Sequence, residues 1–137
     1  MRRGVLALCM AAVAVLGIGV GLSSGGTSAA KVTVGLKEFK LIPAPASVAA
    51  GPITFVARNT GKLVHELVIA KTTLAANKLP IKANKAVVAG QVGKIAAVGP
   101  GKTSAALTIK LAPGRYVLLC NVAGHYQAGQ FATLVVR

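Results

Sequence analysis

The chain has 137 residues and carries 16 Lys and Arg against only 2 Asp and Glu, which gives a formal net charge of +14 at pH 7. This length leaves room for one domain with its own core. The charge favours acidic partners or anionic surfaces. Nucleic acid is excluded as the expected partner, because the cations are scattered singly, aromatic residues make up only 4% of the chain and Trp is absent.

The first 30 residues have the pattern of a secretory signal peptide. Arginines at positions 2 and 3 precede a nearly uncharged apolar run over residues 5–20, and residues 28–30 are small enough for a cleavage site. We therefore expect cleavage near Ala30, export to the periplasm or the cell exterior, and a domain over residues 31–137. Removal of the two arginines would lower the net charge from +14 to +12. Retention of the apolar run as a membrane anchor is the alternative.

The first half of the expected domain alternates polar and apolar residues as strands do. Strands are predicted at residues 31–39, 47–48 and 53–58. Pro43 and Pro45 indicate a loop or an edge segment, because proline cannot donate to a sheet ladder. Asn59-Thr60-Gly61 is predicted to close a hairpin into the next strand, residues 62–70.

The pattern weakens over residues 71–100, which we interpret as a long excursion that offers room for a partner-binding surface. Thr72 or Thr73 is placed to cap a short helical turn that Leu79-Pro80 would end. Further strands are predicted at residues 103–110, 115–119 and 132–136. About seven short strands with turns between them predict an all-β Greek-key sandwich.

His65 lies in a strand-like run in which Leu63, His65, Leu67 and Ile69 share one face. An imidazole on an otherwise apolar face needs a polar partner. A hydrogen-bonded core histidine and a metal ligand both satisfy that requirement. Glu66 points to the opposite face and is expected to pair with a Lys.

The loop Cys120 to Gln130 places a thiol, an imidazole and an amide at five-residue intervals, with His125 in the middle. Gly124 and Gly129 allow the sharp turns that would point these side chains at one centre. A thiolate with imidazole suits copper. After removal of Cys9 with the signal, Cys120 has no second Cys for an internal disulfide, which leaves a metal ligand or a buried inert thiol.

These residues resemble the cupredoxin family, specifically its small bacterial cupredoxin-like domains. The resemblance covers roughly residues 31–137. The motifs that carry it are Asn59-Thr60-Gly61, His65-Glu66-Leu67-Val68, Pro113-Gly114-Arg115-Tyr116 and Cys120-x4-His125-x4-Gln130. The resemblance implies that His65, Cys120 and His125 are equatorial ligands of one copper ion. Gln130 stands where most members have Met and where stellacyanin-like phytocyanins have Gln, and it is the implied axial ligand.

The resemblance implies an exported type 1 (blue) copper protein that carries one electron. Copper delivery or buffering, and a copper-free interaction module, are the alternatives. An enzyme is not expected, because two His are too few for an additional copper cluster. The expected partner is a redox protein with an acidic surface, or an anionic membrane surface, and we expect a monomer. Tyr126 and Phe131 are expected to pack around the site, and Val122 and Ala123 to form an exposed patch beside His125.

Overall fold

The computed structural model describes residues 28–137, so the predicted signal peptide lies outside the described residues except for its last three. Eleven strands are found in this part of the chain. They are β1 (Ala30–Lys37), β2 (Lys40–Ala44), β3 (Ser47–Val48), β4 (Gly51–Asn59), β5 (His65–Lys71), β6 (Ile81–Lys82), β7 (Lys85–Ala86), β8 (Gln91–Val98), β9 (Leu107–Leu111), β10 (Gly114–Leu119) and β11 (Phe131–Val136). Within residues 28–137 no helix is long and apolar enough to cross a membrane.

Nine of these strands form two sheets. One sheet has the order β2-β1-β4-β9 and the other β3-β11-β10-β5-β8, while β6 and β7 form a separate hairpin. Both sheets are mixed, because β1 pairs with β4 and β11 pairs with β3 in parallel. Pro43 lies in β2 at the edge of the first sheet, as its missing N–H requires. The predicted all-β sandwich is confirmed.

The main core lies between the two sheets. Alternate residues of β1 and β4 face inward, and their partners come from β5, β10 and β11. The fully buried members with the largest side chains include Phe55, Ile53, Leu67, Ile69 and Leu118. Burying each such side chain contributes about 1.5–3 kcal/mol. Cys120 belongs to the same cluster, so the candidate ligand loop begins inside the core.

A second apolar cluster covers the outer face of the larger sheet. Val68 of β5 and Val117 and Leu119 of β10 point away from the main core, yet they are buried. Leu79 and Ala86, from the long segment before β8, pack over them. The segment predicted as an excursion therefore gives the sheet a second buried face.

Of three predictions about the middle of the chain, one is wrong and two hold only in part. Residues 59–61 do not close a hairpin, since β4 and β5 belong to different sheets and the segment crosses between them. The predicted helical turn after Thr72 is reduced to a bend, in which Leu74 N–H donates to Thr72 Oγ1, and a single turn, in which Lys78 N–H donates to Ala75 O at 2.9 Å. One turn before Pro80 is too short to propagate a helix. The excursion also contains β8, which extends the sheet beside β5.

Two strands begin several residues later than predicted. The strand with His65 begins at that residue, and Leu63 lies in the exposed bend before it. The strand predicted from residue 103 begins at Leu107, while Thr103 makes only an isolated bridge to Arg58.

Candidate metal centre

The four predicted ligand residues come from two neighbouring places at one end of the sandwich. His65 is the first residue of β5, and Cys120 directly follows β10. His125 and Gln130 lie in the loop between β10 and β11. Because β10 pairs with both β5 and β11, the strand that supports His65 and the strands that support the loop are neighbours in one sheet.

Backbone hydrogen bonds fix the shape of this loop. Cys120 N–H donates to Gln130 O at 3.0 Å, which closes the base of the loop, and Gln130 N–H donates to His125 O at 3.1 Å. Gly124 and Gly129 have φ angles of +81° and +105°. These values lie in the region that residues with a side chain disfavour, so the predicted role of both glycines is confirmed.

The structure brings all four predicted side chains together in a buried cluster. Cys120 Sγ lies 3.5 Å from His125 Nδ1 and 3.9 Å from His65 Nδ1, and the two Nδ1 atoms are 3.2 Å apart. Gln130 Nε2 lies 3.0 Å from His65 Nδ1. The thiol and imidazole donors thus face one another rather than unrelated partners.

These separations fit a first-row metal ion. With metal–nitrogen bonds of about 2.0–2.1 Å and a metal–sulfur bond of about 2.3 Å, trigonal or tetrahedral angles place donor atoms roughly 3.3–3.8 Å apart. The one sulfur and two nitrogen donors, 3.2–3.9 Å apart, are close to this spacing. A thiolate with two imidazoles is the equatorial donor set of blue-copper sites.

The Gln130 amide has one unsatisfied end. Its Nε2 donates to Lys37 O at 3.1 Å, whereas its Oε1 is buried and accepts no hydrogen bond among the described residues. A buried carbonyl oxygen without a donor carries an uncompensated desolvation cost. A bound cation would compensate it, so this side chain also fits a metal site.

Burial shifts the ionisation of the site toward its neutral form. It raises the pKa of the Cys120 thiol, and the Glu66 N–H that donates to Sγ at 3.4 Å partly offsets this rise. Burial also lowers the pKa of His125, and the nearby His65 lowers it further. A neutral imidazole is the form that binds metal, whereas the thiol must first lose its proton.

Glu38 is the nearest acidic group, and sequence reasoning did not identify it. Its Oε1 accepts hydrogen bonds from Leu63 N–H at 2.6 Å, Lys62 N–H at 2.7 Å and His65 Nε2 at 3.1 Å. The Leu63 N–H is the largest cause that lowers the pKa of this carboxyl to about 2. Its rarity is the one sequence signal that could have identified it, since the chain has only two acidic residues.

The other acidic residue behaves as predicted. Glu66 lies on the opposite side of β5 from His65, and its Oε2 is 2.9 Å from Lys94 Nζ. This confirms that Glu66 is the partner of a Lys and does not join the donor cluster.

Exposed apolar side chains contact His125 or lie in the segments that carry the proposed ligands. The Phe39 ring contacts the His125 ring edge to face, with centroids 5.1 Å apart, and its side chain is 37% exposed. Leu63 is also exposed, as is Ala123, while Val122 packs against the main core. Sequence reasoning missed Phe39, which lies in the turn after β1 and carries no local sign of this contact.

Tyr126 and Phe131 do not pack where they were predicted. Both belong to the outer cluster on the larger sheet, with ring centroids 5.3 Å apart. The Tyr126 hydroxyl donates to Ala76 O at 2.7 Å and accepts from Leu79 N–H at 2.9 Å. Tyr126 therefore links the ligand loop by hydrogen bonds to the segment before β8, and it does not cover the donor atoms.

Comparison of the three-dimensional structure with solved structures finds cupredoxins. Auracyanin from Roseiflexus castenholzii matches with 21% identity and a TM-score of 0.57, over 80% of this chain and 99% of that chain. Auracyanin A from Chloroflexus aurantiacus, described as a "blue" copper protein, matches with 20% identity and a TM-score of 0.58, over 80% and 100%. Rusticyanin from Thiobacillus ferrooxidans matches with 20% identity and a TM-score of 0.61, over 78% and 76%. At these identities the matches establish the fold.

Sequence comparison identifies the family. A search of curated protein sequences found no significant match. The sulfocyanin (SoxE) domain profile, by contrast, matches residues 15–137, which is most of the chain. Cupredoxins bind one copper ion and are electron-transfer proteins rather than enzymes. The chain belongs to the sulfocyanin (SoxE) domain family of cupredoxins.

Proposed function

We propose that this chain is an exported mononuclear type 1 copper protein that acts as a one-electron carrier. The proposed equatorial ligands are His65, Cys120 and His125, and the proposed axial ligand is Gln130. The observation that carries the proposal is the convergence of the thiol and the two imidazoles, whose donor atoms lie within 4.8 Å of one another in a buried cluster. Bound copper would supply the Cu(I)/Cu(II) couple.

The surrounding residues support this role by holding the donors still. His65 is fixed by its strand, and Cys120 is fixed in the core at the end of β10. The hydrogen bonds across the loop hold His125 and Gln130 against the same end of the sandwich. Little atomic movement on a change of oxidation state would follow, which is what fast electron transfer needs.

An apolar rim, formed by the exposed residues Phe39, Leu63 and Ala123, offers a route for a partner to approach the site. His125 is the proposed ligand nearest the surface, at 9% exposure, and it contacts the exposed Phe39. Leu63 and Ala123 lie in the segments that carry the proposed ligands and are exposed as well. A redox partner docked on this rim would come close to the His125 ring without displacing any donor.

The charge distribution supports an acidic partner. Both acidic side chains are engaged, Glu38 with the segment before β5 and Glu66 with Lys94. Apart from Lys94, no Lys or Arg in residues 28–137 has a side-chain ion pair with an Asp or Glu. We therefore propose that the monomeric protein docks on an acidic redox protein or an anionic membrane face, outside the cytoplasm.

Copper delivery uses the same donors but needs ready exchange of the metal. All four proposed ligand side chains are buried, which favours retention and therefore a carrier. A potentiometric titration should show one reversible electron per copper, and a Cu(I) chelator should remove the metal only slowly. Rapid loss of Cu(I) to the chelator would favour copper handling, and absence of copper binding would leave an interaction module.

A further inference from the structure

We propose that Glu38 is a positioning residue of the metal centre, whose carboxylate holds the His65 ring with Nδ1 turned toward Cys120. This inference rests on the proposed function of the four-donor site. Glu38 lies in the turn between β1 and β2, in the opposite sheet from His65. Its contact with the ring therefore joins the two sheets at the candidate centre.

The contact determines which ring nitrogen carries the hydrogen. An ionised carboxylate only accepts hydrogen bonds, so His65 Nε2, at 3.1 Å from Glu38 Oε1, must donate. In a neutral imidazole this leaves Nδ1 with the lone pair. The Gln130 amide independently requires the same tautomer, because its Nε2 group lies 3.0 Å from Nδ1 and can only donate. The lone pair of His65 consequently faces the donor cluster.

The position of the carboxylate is itself fixed by the segment before His65. Lys62 N–H and Leu63 N–H both donate to the oxygen that accepts from the ring. Gly61 makes room for this arrangement, because a Cβ at that position would lie only 2.7 Å from Glu38 Cδ. The absence of a side chain at Gly61 is thus a second requirement of the same contact.

A carboxylate behind a ligating imidazole fixes the orientation of the ring and increases its basicity as a ligand. Its negative charge also stabilises the more positive oxidation state of a nearby ion. Glu66, the other acidic residue, is 2.9 Å from Lys94, which offsets its charge. Of the two acidic side chains, only the Glu38 carboxylate contacts a proposed ligand side chain.

Three variants test the contact between Glu38 and His65. Glu38→Gln removes the charge and keeps the shape. Gly61→Ala keeps the charge and displaces the carboxylate. Glu66→Gln removes an equal charge that is paired with Lys94 and serves as the matched control. Circular dichroism of each variant establishes that it folds.

The Cu(II) dissociation constant should rise about 10–100-fold in Glu38→Gln and in Gly61→Ala. This is the usual effect of removing a residue that hydrogen-bonds to a metal-ligating side chain. The rise in Glu66→Gln should stay below about fivefold, the effect of a weak ion pair. If the Cu(I) dissociation constant rises less than the Cu(II) dissociation constant, the reduction potential should also rise. The expected rise is about 59 mV for each tenfold difference between the two increases. Wild-type constants and potentials in both test variants would overturn the inference while leaving the blue site intact.

A measurement on the metal-free protein keeps the two proposals distinguishable. Nitrogen-15 NMR of the imidazoles at a pH where His65 is neutral should show its hydrogen on Nε2 in the wild type. That preference should weaken in Glu38→Gln and Gly61→Ala but persist in Glu66→Gln. A His65 hydrogen on Nδ1 in the wild type would refute the positioning by Glu38. Failure of the wild type to bind copper would refute the proposed site and, with it, this role for Glu38.

Discussion

Replacement of Asn59 by Ala tests whether this side chain holds together the segment that leads to His65. Asn59 is buried, and its Nδ2 donates to Leu63 O at 2.7 Å and to Val98 O at 2.8 Å, while its Oδ1 accepts from Gly61 N–H at 2.8 Å. It therefore links the crossing between the sheets to the end of β8. A residue that served only to favour a turn would not make the long-range hydrogen bond to Val98.

The expected loss of stability follows from these three bonds. Each contributes about 1 kcal/mol net, so Asn59→Ala should lower the free energy of unfolding by about 3 kcal/mol. Asn121→Ala is a matched control, because Asn121 makes two side-chain bonds to the backbone of Ala86 and is only half-buried. It should lose about 1–2 kcal/mol.

Urea denaturation of the metal-free protein measures both values without a contribution from bound metal. A loss of unfolding free energy for Asn59→Ala that is no greater than that for Asn121→Ala would contradict this expectation. The buried bonds of Asn59 would then not hold the segment before His65.

Three further results are expected. Gln130→Met should raise the reduction potential, because the amide oxygen favours Cu(II) over Cu(I). The rise should exceed about 59 mV if that preference is at least tenfold. An unchanged potential in a redox titration would show that the oxygen is not a ligand. Near pH 7–8, binding of one copper should release about one proton, because the pKa of Cys120 is raised and that of His125 is lowered. Affinity should then rise about tenfold per pH unit, and a pH-stat titration without proton release would contradict this. Association with an acidic redox protein should slow as salt rises, and stopped-flow rates independent of salt would exclude electrostatic attraction.

The sequence predicted the ligand loop well because its signals are local. The residues on both sides of Cys120 and Gln130 favour extended strands, and the glycines at 124 and 129 can adopt the positive φ angles that other residues disfavour. The structure has both features. A loop or edge position was predicted for Pro43 for the same reason, since a missing N–H acts locally, and Pro43 lies in the edge strand β2.

Predictions failed where long-range contacts decide the structure. Strand β8 has register shifts against β5, and only Ile95 and Val98 are buried along it, so its sequence lacks the alternation that identifies a strand. Asn59-Thr60-Gly61 has turn chemistry, but turn chemistry does not tell whether the next strand joins the same sheet. Only the tertiary structure decides that.

The same limit applies to the surroundings of the candidate site. Glu38 and His65 are 27 residues apart and lie in different sheets, so no spacing in the sequence connects them. Tyr126 was expected beside the donors because it follows His125, yet adjacent residues on an extended or turning backbone point in different directions. Its hydroxyl partners, at residues 76 and 79, come from a segment whose course the sequence did not predict.

The proposed function requires that His65, Cys120 and His125 hold one copper ion. Cu(II) titration of residues 31–137, followed by visible absorption, tests it most directly, with Cys120→Ser as the control that removes only the sulfur donor. We expect an intense blue thiolate-to-copper band that saturates at one copper per chain and is absent from the control. A folded wild-type chain that stays colourless, or a band that persists in Cys120→Ser, would contradict it.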